Sequence, residues 1–593
     1  NTMNIKRNTS SFKEKNGVSF FDNIFYWIWT TVPSKGFPDR SFVVVTVCQF
    51  SYVLLFVSIL LTLFDEQVQL CIYDKPEPIA IPMLILLIIL SFINLKIYDE
   101  KKYQKLEHGF RLMSVPQRKK YKNILTHKNI KEQFILVYSD LIFILGMFPI
   151  MTIISLFDRS AEYKNLILIV CSLLFFSWGR PFVFCLIFLS VILDWIFGLI
   201  ISKNRENKAL CRIFLVLDII MNVSLMLIFG QNILYNKVKK LSFDAAILPL
   251  GMGYYMLRGI SYVYDVFKGK CKAEKNIFCL LTYMVSLHFM LVGPLVRYGD
   301  IEPQIRHREI TGAKLNQGLT KIVFGFGKVV LLASVFEQIK LAGLNGKEIT
   351  TLGCWLGMLS FLAQYYFLFT GLSDMAKGLG LTNGFVYPDN YTNIEADGLF
   401  TGMIKSFNTT VVDFFSEVFC CKKNMNKVFT FVCYILCGLA LSVWYQAKVN
   451  FIIVGLCAAV LCILEKLFLE RPLSKLPDLV KYIYLLLTAL VIFGGLYFDS
   501  FYGYKKWFFA LAGVNVKYTL SVSVKSAVLK NITLIVISFF IVCPPAKRAF
   551  CKIFKKLSQK SQAAYGRVMI TKTIMTVLVF AVSVITLAAE YAA

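Results

Sequence analysis

The residues best suited to chemistry are few and unevenly placed. Gly371-Leu-Ser-Asp-Met-Ala-Lys-Gly-Leu-Gly380, followed by Asn383, Gly384, Tyr387, Pro388, Asp389 and Asn390, sets Asp374 and Lys377 directly behind an apolar run that begins at Trp355. An ionisable side chain within a membrane segment is a functional candidate by default. Irregular backbone survives at membrane depth only where protein shields it or it borders a wet cavity, so this stretch is expected to line a site. The plainer expectation for Asp374 is an ion pair with a basic neighbour and a cap for a helix following Ser373. A second cluster is Gly293-Pro-Leu-Val-Arg-Tyr298 with Asp300, where Arg297 could hold an anionic donor or polymer, or anchor a turn.

A general base working near neutral pH is most often histidine, whose ordinary pKa is about 6.5. The chain has four. His108 and His127 lie in a basic N-terminal stretch, His307 stands between Arg306 and Arg308 and reads as solvated, and His288, on an apolar helix, reads as a hydrogen-bonded packing residue. Sixteen cysteines scatter without paired CxxC spacing, which favours reduced, buried thiols and no metal site. Cys420 and Cys421 could be lipidated or reactive. Asp194, Asp218, Arg258 and Asp265 are charges within apolar segments and have no partner legible in the sequence.

The elements that position these groups are apolar helices. The chain is 57% hydrophobic with mean hydropathy +0.63, too apolar for soluble domains. Runs near the roughly 20 residues a span needs recur, among them Ser41 to Phe64, Ile79 to Leu95, Phe134 to Phe157, Pro181 to Ser202 and Thr573 to Ala589. About twelve to fifteen such segments are expected by that length rule. They are continuously apolar rather than alternating, which excludes barrel strands. The expected fold class is therefore all-α: a polytopic transmembrane helical bundle, with re-entrant segments near 293–310 and 371–425.

Net charge +28 follows from basic loops beside apolar runs, as the positive-inside rule predicts, and calls for no nucleic-acid partner. Basic residues before the first run and from Lys101 to Lys131 place both flanks of the first hairpin, and the N-terminus, in the cytoplasm. The first run is too long for a signal-peptide core, so it is expected to be a retained anchor. Residues 1–135 read as an extension of two spans and a basic amphipathic stretch along the inner face; 136–593 read as the main bundle.

From Phe134 onward the order of motifs resembles the polysaccharide branch of the membrane-bound O-acyltransferase family, the alginate O-acetylation proteins and the D-alanyl transferases of teichoic acid. The blocks are Ser172 to Pro181 leading into Leu193-Asp-Trp-Ile-Phe-Gly198, Leu248 to Gly253 with Ser261 to Gly269, Gly293 to Tyr298 with Pro303 and Gln304, and, most strongly, Phe369 to Asn390; Gly494 to Ser500 follows weakly. The resemblance implies a ring of helices around a central tunnel, where an acyl donor such as acetyl-CoA from one side meets a hydroxyl from the other. No resident cofactor is expected. Gly293, Arg297, Asp374 and Trp444 become candidates for lining that tunnel.

The family's chemistry rests on two histidines. Counted forward from Asn390, the first falls on Asn408 after Phe407, and the second, in a Trp-His-Gly sequence, falls on Trp444-Tyr445-Gln446. Asparagine cannot take a proton, although its amide can hydrogen-bond a developing oxyanion. Tyrosine, with an ordinary pKa of about 10, is a poor base at neutral pH. Three roles stay open: a catalytically degenerate subunit in O-acylation of a surface polysaccharide, which is favoured; an active O-acyltransferase using Asn408 and Tyr445 or another base; and a transporter or lipid-handling channel, which the lack of inverted repeats disfavours. Expected partners are the bilayer and a secreted acetyltransferase or polysaccharide synthase, in a bacterial cytoplasmic membrane.

Overall fold

A computed structural model describes residues 143–156, 160–177, 181–230, 252–290, 293–345, 349–392, 399–419, 427–445, 448–498, 500–514, 516, 518–543, 552 and 562–592. The first hairpin, the basic stretch, the 135/136 boundary, His108, His127, Cys420 and Cys421 lie outside them. The chain divides into two compact units, Asn1–Ile167 with Ile310–Ala313 and Val584–Ala593, and Leu168–Glu309 with Lys314–Ser583. In the first, a π-helical turn, Phe143–Met147, runs into the helix Phe148–Leu156, with Phe143 and Met151 buried. The second carries the candidate site.

The described residues hold helices and no strand, only the isolated bridges Thr350–Tyr518 and Tyr391–Phe407. The helices that position the site are α1 (Pro181–Lys203), α2 (Lys208–Gly230), α3 (Met252–Lys268), α4 (Ile277–Val285) and α5 (Tyr298–Arg306). They are followed by α6 (Gly312–Leu344, with a π-helical turn inside it), α7 (Thr351–Thr382), α8 (Thr409–Val418), α9 (Lys427–Tyr445), α10 (Val449–Ser474) and α11 (Asp478–Tyr497). Seven described helices are long and apolar enough to cross a membrane, and eight if the pair Val522–Lys530 and Ile532–Val542, bent by 70°, counts as one span. The protein is a multi-pass membrane protein.

The pattern on α2 shows why these helices belong in lipid. Ile213, Val216, Leu217 and Ile220 are exposed, while Asp218 and Asn222 are fully buried. Polar groups inside and apolar groups outside is the arrangement a bilayer imposes, since every polar group must be satisfied within the protein.

Lipid gives little hydrophobic drive for helices to associate, so close backbone approach between small residues takes over. Along α6 and α7, Gly318 faces Gly378, Gly325 faces Gly371, and Gly343 faces Gly353 and Gly357. A Cβ added at Gly318, Gly325 or Gly343 would stand 2.7, 2.5 or 2.4 Å from the opposing carbonyl oxygen. Gly438 of α9 and Gly455 of α10 make the same approach. The expectation of turn backbone over Gly371 to Gly380 is thereby corrected: α7 stays helical through Thr382, and its glycines serve a helix contact. Non-helical backbone begins at Asn383, and Gly384 follows with φ +85°.

Two buried carboxylates join elements distant in sequence. Glu465 of α10, 1% exposed, accepts the N–H groups of Phe400 (2.7 Å) and Thr401 (2.8 Å), the Thr401 hydroxyl (2.7 Å) and the Tyr484 hydroxyl of α11 (2.9 Å), and so holds the start of the short helix Phe400–Ser406. Glu274, between α3 and α4, accepts from the Tyr298 hydroxyl, from Arg306 (2.6 Å) and from the Asn276 N–H (2.8 Å). Its own carbonyl accepts from the Trp195 indole at 2.8 Å.

Candidate functional site

Asn408 caps the start of α8 with φ +69° and ψ +48°, the one non-glycine residue at positive φ among the described residues. Asparagine tolerates this left-handed conformation better than most residues. The side chain is 3% exposed. Its Oδ1 accepts three hydrogen bonds: from the Tyr254 hydroxyl of α3 at 2.7 Å, from Asn390 Nδ2 at 2.8 Å and from the Tyr391 hydroxyl at 2.9 Å.

Asn390 is fixed in turn. Its Oδ1 accepts from the Thr410 hydroxyl at 2.7 Å and its carbonyl accepts the Thr409 N–H at 2.9 Å. Thr410 Oγ1 also accepts the Leu295 N–H at 2.8 Å, which ties the Gly293 segment to α8. Gly293 is required there by space, since a Cβ would stand 2.5 Å from the His288 carbonyl oxygen.

α9 brings its last two residues to the same place. The Trp444 ring stands edge-on to Tyr254 (centroids 4.8 Å, 86°) and to Tyr445 (5.3 Å, 88°). Tyr445 packs against Phe369 of α7 at 5.7 Å and Phe451 of α10 at 6.4 Å, and Phe369 in turn packs against Phe407, the residue before Asn408, at 5.9 Å. The Trp444 indole N–H and the Thr409 hydroxyl are buried with no hydrogen-bond partner among the described residues.

Asn408, Trp444 and Tyr445, 36 and 37 positions apart in the chain, thus converge. The groups that engage the Asn408 amide are phenols and an amide, and they act as donors. Burial, with the phenols of Tyr254 and Tyr445 beside it, holds the Tyr391 phenol well above the ordinary tyrosine range, so it stays protonated at neutral pH.

Asp374, Lys377 and Arg297 are engaged in ion pairs of their own. Asp374 does not cap a helix: it lies inside α7, paired with Lys328 at 2.5 Å and Lys321 at 3.2 Å of α6, while Lys377 pairs with Asp389 at 2.6 Å. Arg297 spends its guanidinium on Asp265 of α3 (2.9 Å) and Glu417 of α8 (3.0 Å), over the face of Phe414. It therefore anchors the stretch before α5 to α3 and α8. His288 is fully buried and stacked on Tyr387 at 5.9 Å, but neither ring nitrogen has a hydrogen bond among the described residues, which corrects the expected hydrogen-bonded role to packing alone. Among the described residues no group of three or more His, Cys, Asp or Glu could hold a metal.

Sequence reasoning named Asn390 only as a turn former and did not single out Tyr254 or Tyr391. The available signal was position: Tyr254 follows the Leu248–Gly253 block, and Tyr391 closes the Phe369–Asn390 block.

No family model matches the chain. It is 27% identical over 335 residues to a protein of Pseudomonas aeruginosa described as "Probable alginate O-acetylase AlgI", covering 54% of this chain and 64% of that one. A protein of the same description from Azotobacter vinelandii is 27% identical over 334 residues, covering 54% and 66%. The "Peptidoglycan O-acetyltransferase" of Helicobacter pylori is 25% identical over 369 residues, covering 55% and 70%. The chain spans just under two thirds of the two alginate proteins.

Proposed function

We propose that this protein is a member of the membrane-bound O-acyltransferase family that takes part in O-acetylation of a cell-surface polysaccharide, and that its own transfer centre has lost its base. The likeness to alginate and peptidoglycan O-acetylation proteins supports the reaction class. One observation carries the loss of the base. Asn408 stands where the family's first histidine is counted, and its side-chain oxygen is committed to three donors.

An acceptor hydroxyl must surrender its proton as it attacks the acyl carbon, and an amide cannot take it. Tyr445, at the counted place of the second histidine, is a phenol and a poor base near pH 7. Loss of a positioned base costs roughly 10²–10⁴-fold in rate. The role left is scaffold or acyl passage, with acetyl-CoA as donor and a secreted acetyltransferase or polysaccharide synthase as partner, in a bacterial cytoplasmic membrane with the N-terminus cytoplasmic.

The unpartnered Trp444 N–H and Thr409 hydroxyl support the alternative of an active enzyme, since donors of that kind can stabilise an oxyanion. The test is radiolabelled acetyl transfer from acetyl-CoA to the native surface polymer by membranes carrying the wild-type chain or Tyr445→His. The expected result is no wild-type transfer above membranes lacking the protein. Transfer above that control would establish an enzyme and overturn the degenerate reading.

A further inference from the structure

Two loops from different helix pairs meet at one end of α1 and α3. Lys203 and Arg205 stand at the end of α1, Lys208 and Arg212 open α2, and Lys268 and Lys272 lie where α3 passes towards α4; all are exposed. Arg205 joins the loops, since a Cβ on Gly269 would stand 3.3 Å from its Nη1. Charges far apart in the sequence therefore share one surface.

That surface is held in place by the helices beneath it. α3 closes at Gly269, whose φ of +76° accompanies a hydrogen bond from the Lys270 N–H to the Asp265 carbonyl at 2.9 Å. The Glu274 N–H donates to the Tyr262 hydroxyl of α3 at 3.0 Å, and the Glu274 carbonyl accepts from Trp195 of α1. On the other loop the Asn207 N–H donates to the Asn204 carbonyl at 3.0 Å, and Asn207 Oδ1 accepts the Leu210 N–H at 3.1 Å at the start of α2. The carboxylates at this end turn inward: Asp265 and Glu274 are buried and taken by Arg297 and Arg306. Glu417 takes Lys270 at 2.8 Å. Among the described residues the other basic side chains of these loops make no ion pair, although Glu206 and Asp300 are exposed on or beside them.

One face of α2 continues this surface into the apolar region. Lys208, Arg212, Val216 and Ile220 follow one another a turn apart and all are exposed, so the face passes from cationic to apolar along the helix. The positive-inside rule accounts for the side of the membrane on which such loops lie, but not for two loops joined into one fixed surface with their acids withdrawn. A soluble acidic partner would match the charges alone. A phospholipid presents an anionic phosphate directly above apolar chains and matches both parts of the face, and juxtamembrane basic residues attract anionic headgroups. We propose that the joined loops bind the phosphate headgroup of an anionic phospholipid through Arg205, Lys208, Arg212 and Lys268, with its chains along Val216 and Ile220 of α2.

The test is thermal unfolding of the full chain in detergent micelles doped with dioleoylphosphatidylglycerol or with zwitterionic dioleoylphosphatidylcholine, and in undoped micelles with inorganic phosphate. The anionic lipid should raise the wild-type midpoint saturably by roughly 2–4 °C over the zwitterionic one, and the gain should shrink as salt is raised to about 1 M. The triple variant Arg205→Gln, Lys208→Gln, Arg212→Gln should lose the gain. Lys475→Gln with Lys525→Gln and Lys530→Gln, exposed lysines elsewhere in the chain, should retain it. Should the first triple variant not fold, Lys208→Gln and Arg212→Gln singly should each lower the gain. Equal midpoints in the two lipids, a gain reproduced by inorganic phosphate, a gain that survives in the first triple variant, or one lost equally in the second would each overturn the proposal.

Discussion

Replacing Asn408 separates two effects that the structure places on one residue. Its Oδ1 serves three donors, of which Tyr254 and Asn390 are buried and Tyr391 is partly exposed. A buried donor left without an acceptor costs about 1–3 kcal/mol. Asn408→Ala strands two such groups outright, so at least about 2–6 kcal/mol is expected from Tyr254 and Asn390 alone. The φ of +69° adds a backbone contribution. Alanine in the left-handed region costs about 1–2 kcal/mol that glycine avoids.

Asn408→Gly should therefore be destabilised by about 1 kcal/mol less than Asn408→Ala, although it deletes at least as much side chain. The assay is reversible unfolding in mixed detergent micelles, with both variants compared with the wild type under identical conditions. An alanine variant within about 0.5 kcal/mol of wild type, the scale of an ordinary surface substitution, would refute the three-donor account. Equal loss in the two variants would refute the backbone part of it.

Gly325→Leu should abolish recovery of folded, monodisperse protein on size exclusion, because its Cβ would lie 2.5 Å from the Gly371 carbonyl oxygen. Gly402→Ala is the matched control: nothing lies within 4 Å of the added carbon, so a change between neutral and a gain of about 1 kcal/mol is expected in the unfolding assay. For Glu274, burial alone would raise the carboxyl pKa, but the hydrogen bonds from Tyr298 and Asn276 and the nearby Arg306 outweigh it and hold the pKa below 4.5. A depressed folded pKa stabilises the protein above the unfolded value and loses that contribution as pH falls through the folded one. The acid limb of a stability profile below about pH 4.5 should therefore flatten in Glu274→Gln, and an unchanged limb would show that other groups set it.

Composition and run length were enough to read an all-helical membrane bundle, because a span's apolarity is written in contiguous residues. Partnerships were not legible. Asp374 was recognised as a charge in an apolar segment, yet its lysines lie 46 and 53 residues away on α6, brought there by a helix register that close glycine contacts set. Those glycines are also why the local reading of Gly371 to Gly380 failed. Glycine marks a turn where it supplies conformational freedom and a helix contact where it supplies absence of volume, and the letter is the same. Arg297 looked available for an anionic ligand because Asp265 and Glu417, which occupy it, are 32 and 120 residues distant. At the candidate site, counting along the chain put Asn408 and Tyr445 at the right places to meet, but the donors that saturate Asn408 come from α3 and from the segment that follows α7.

Glu465 offers two carboxylate oxygens with about four lone-pair directions between them, and four donors already take them. The joint is full, with no direction left over for a lipid headgroup or an ion. The seven-residue helix that leads to Phe407 and Asn408 is therefore hung from α10 and α11 by its first turn, with Asn408 at its far end. A sideways movement of α10 would carry that end with it, making Glu465 the pivot through which motion among the outer spans reaches a side chain that it does not touch.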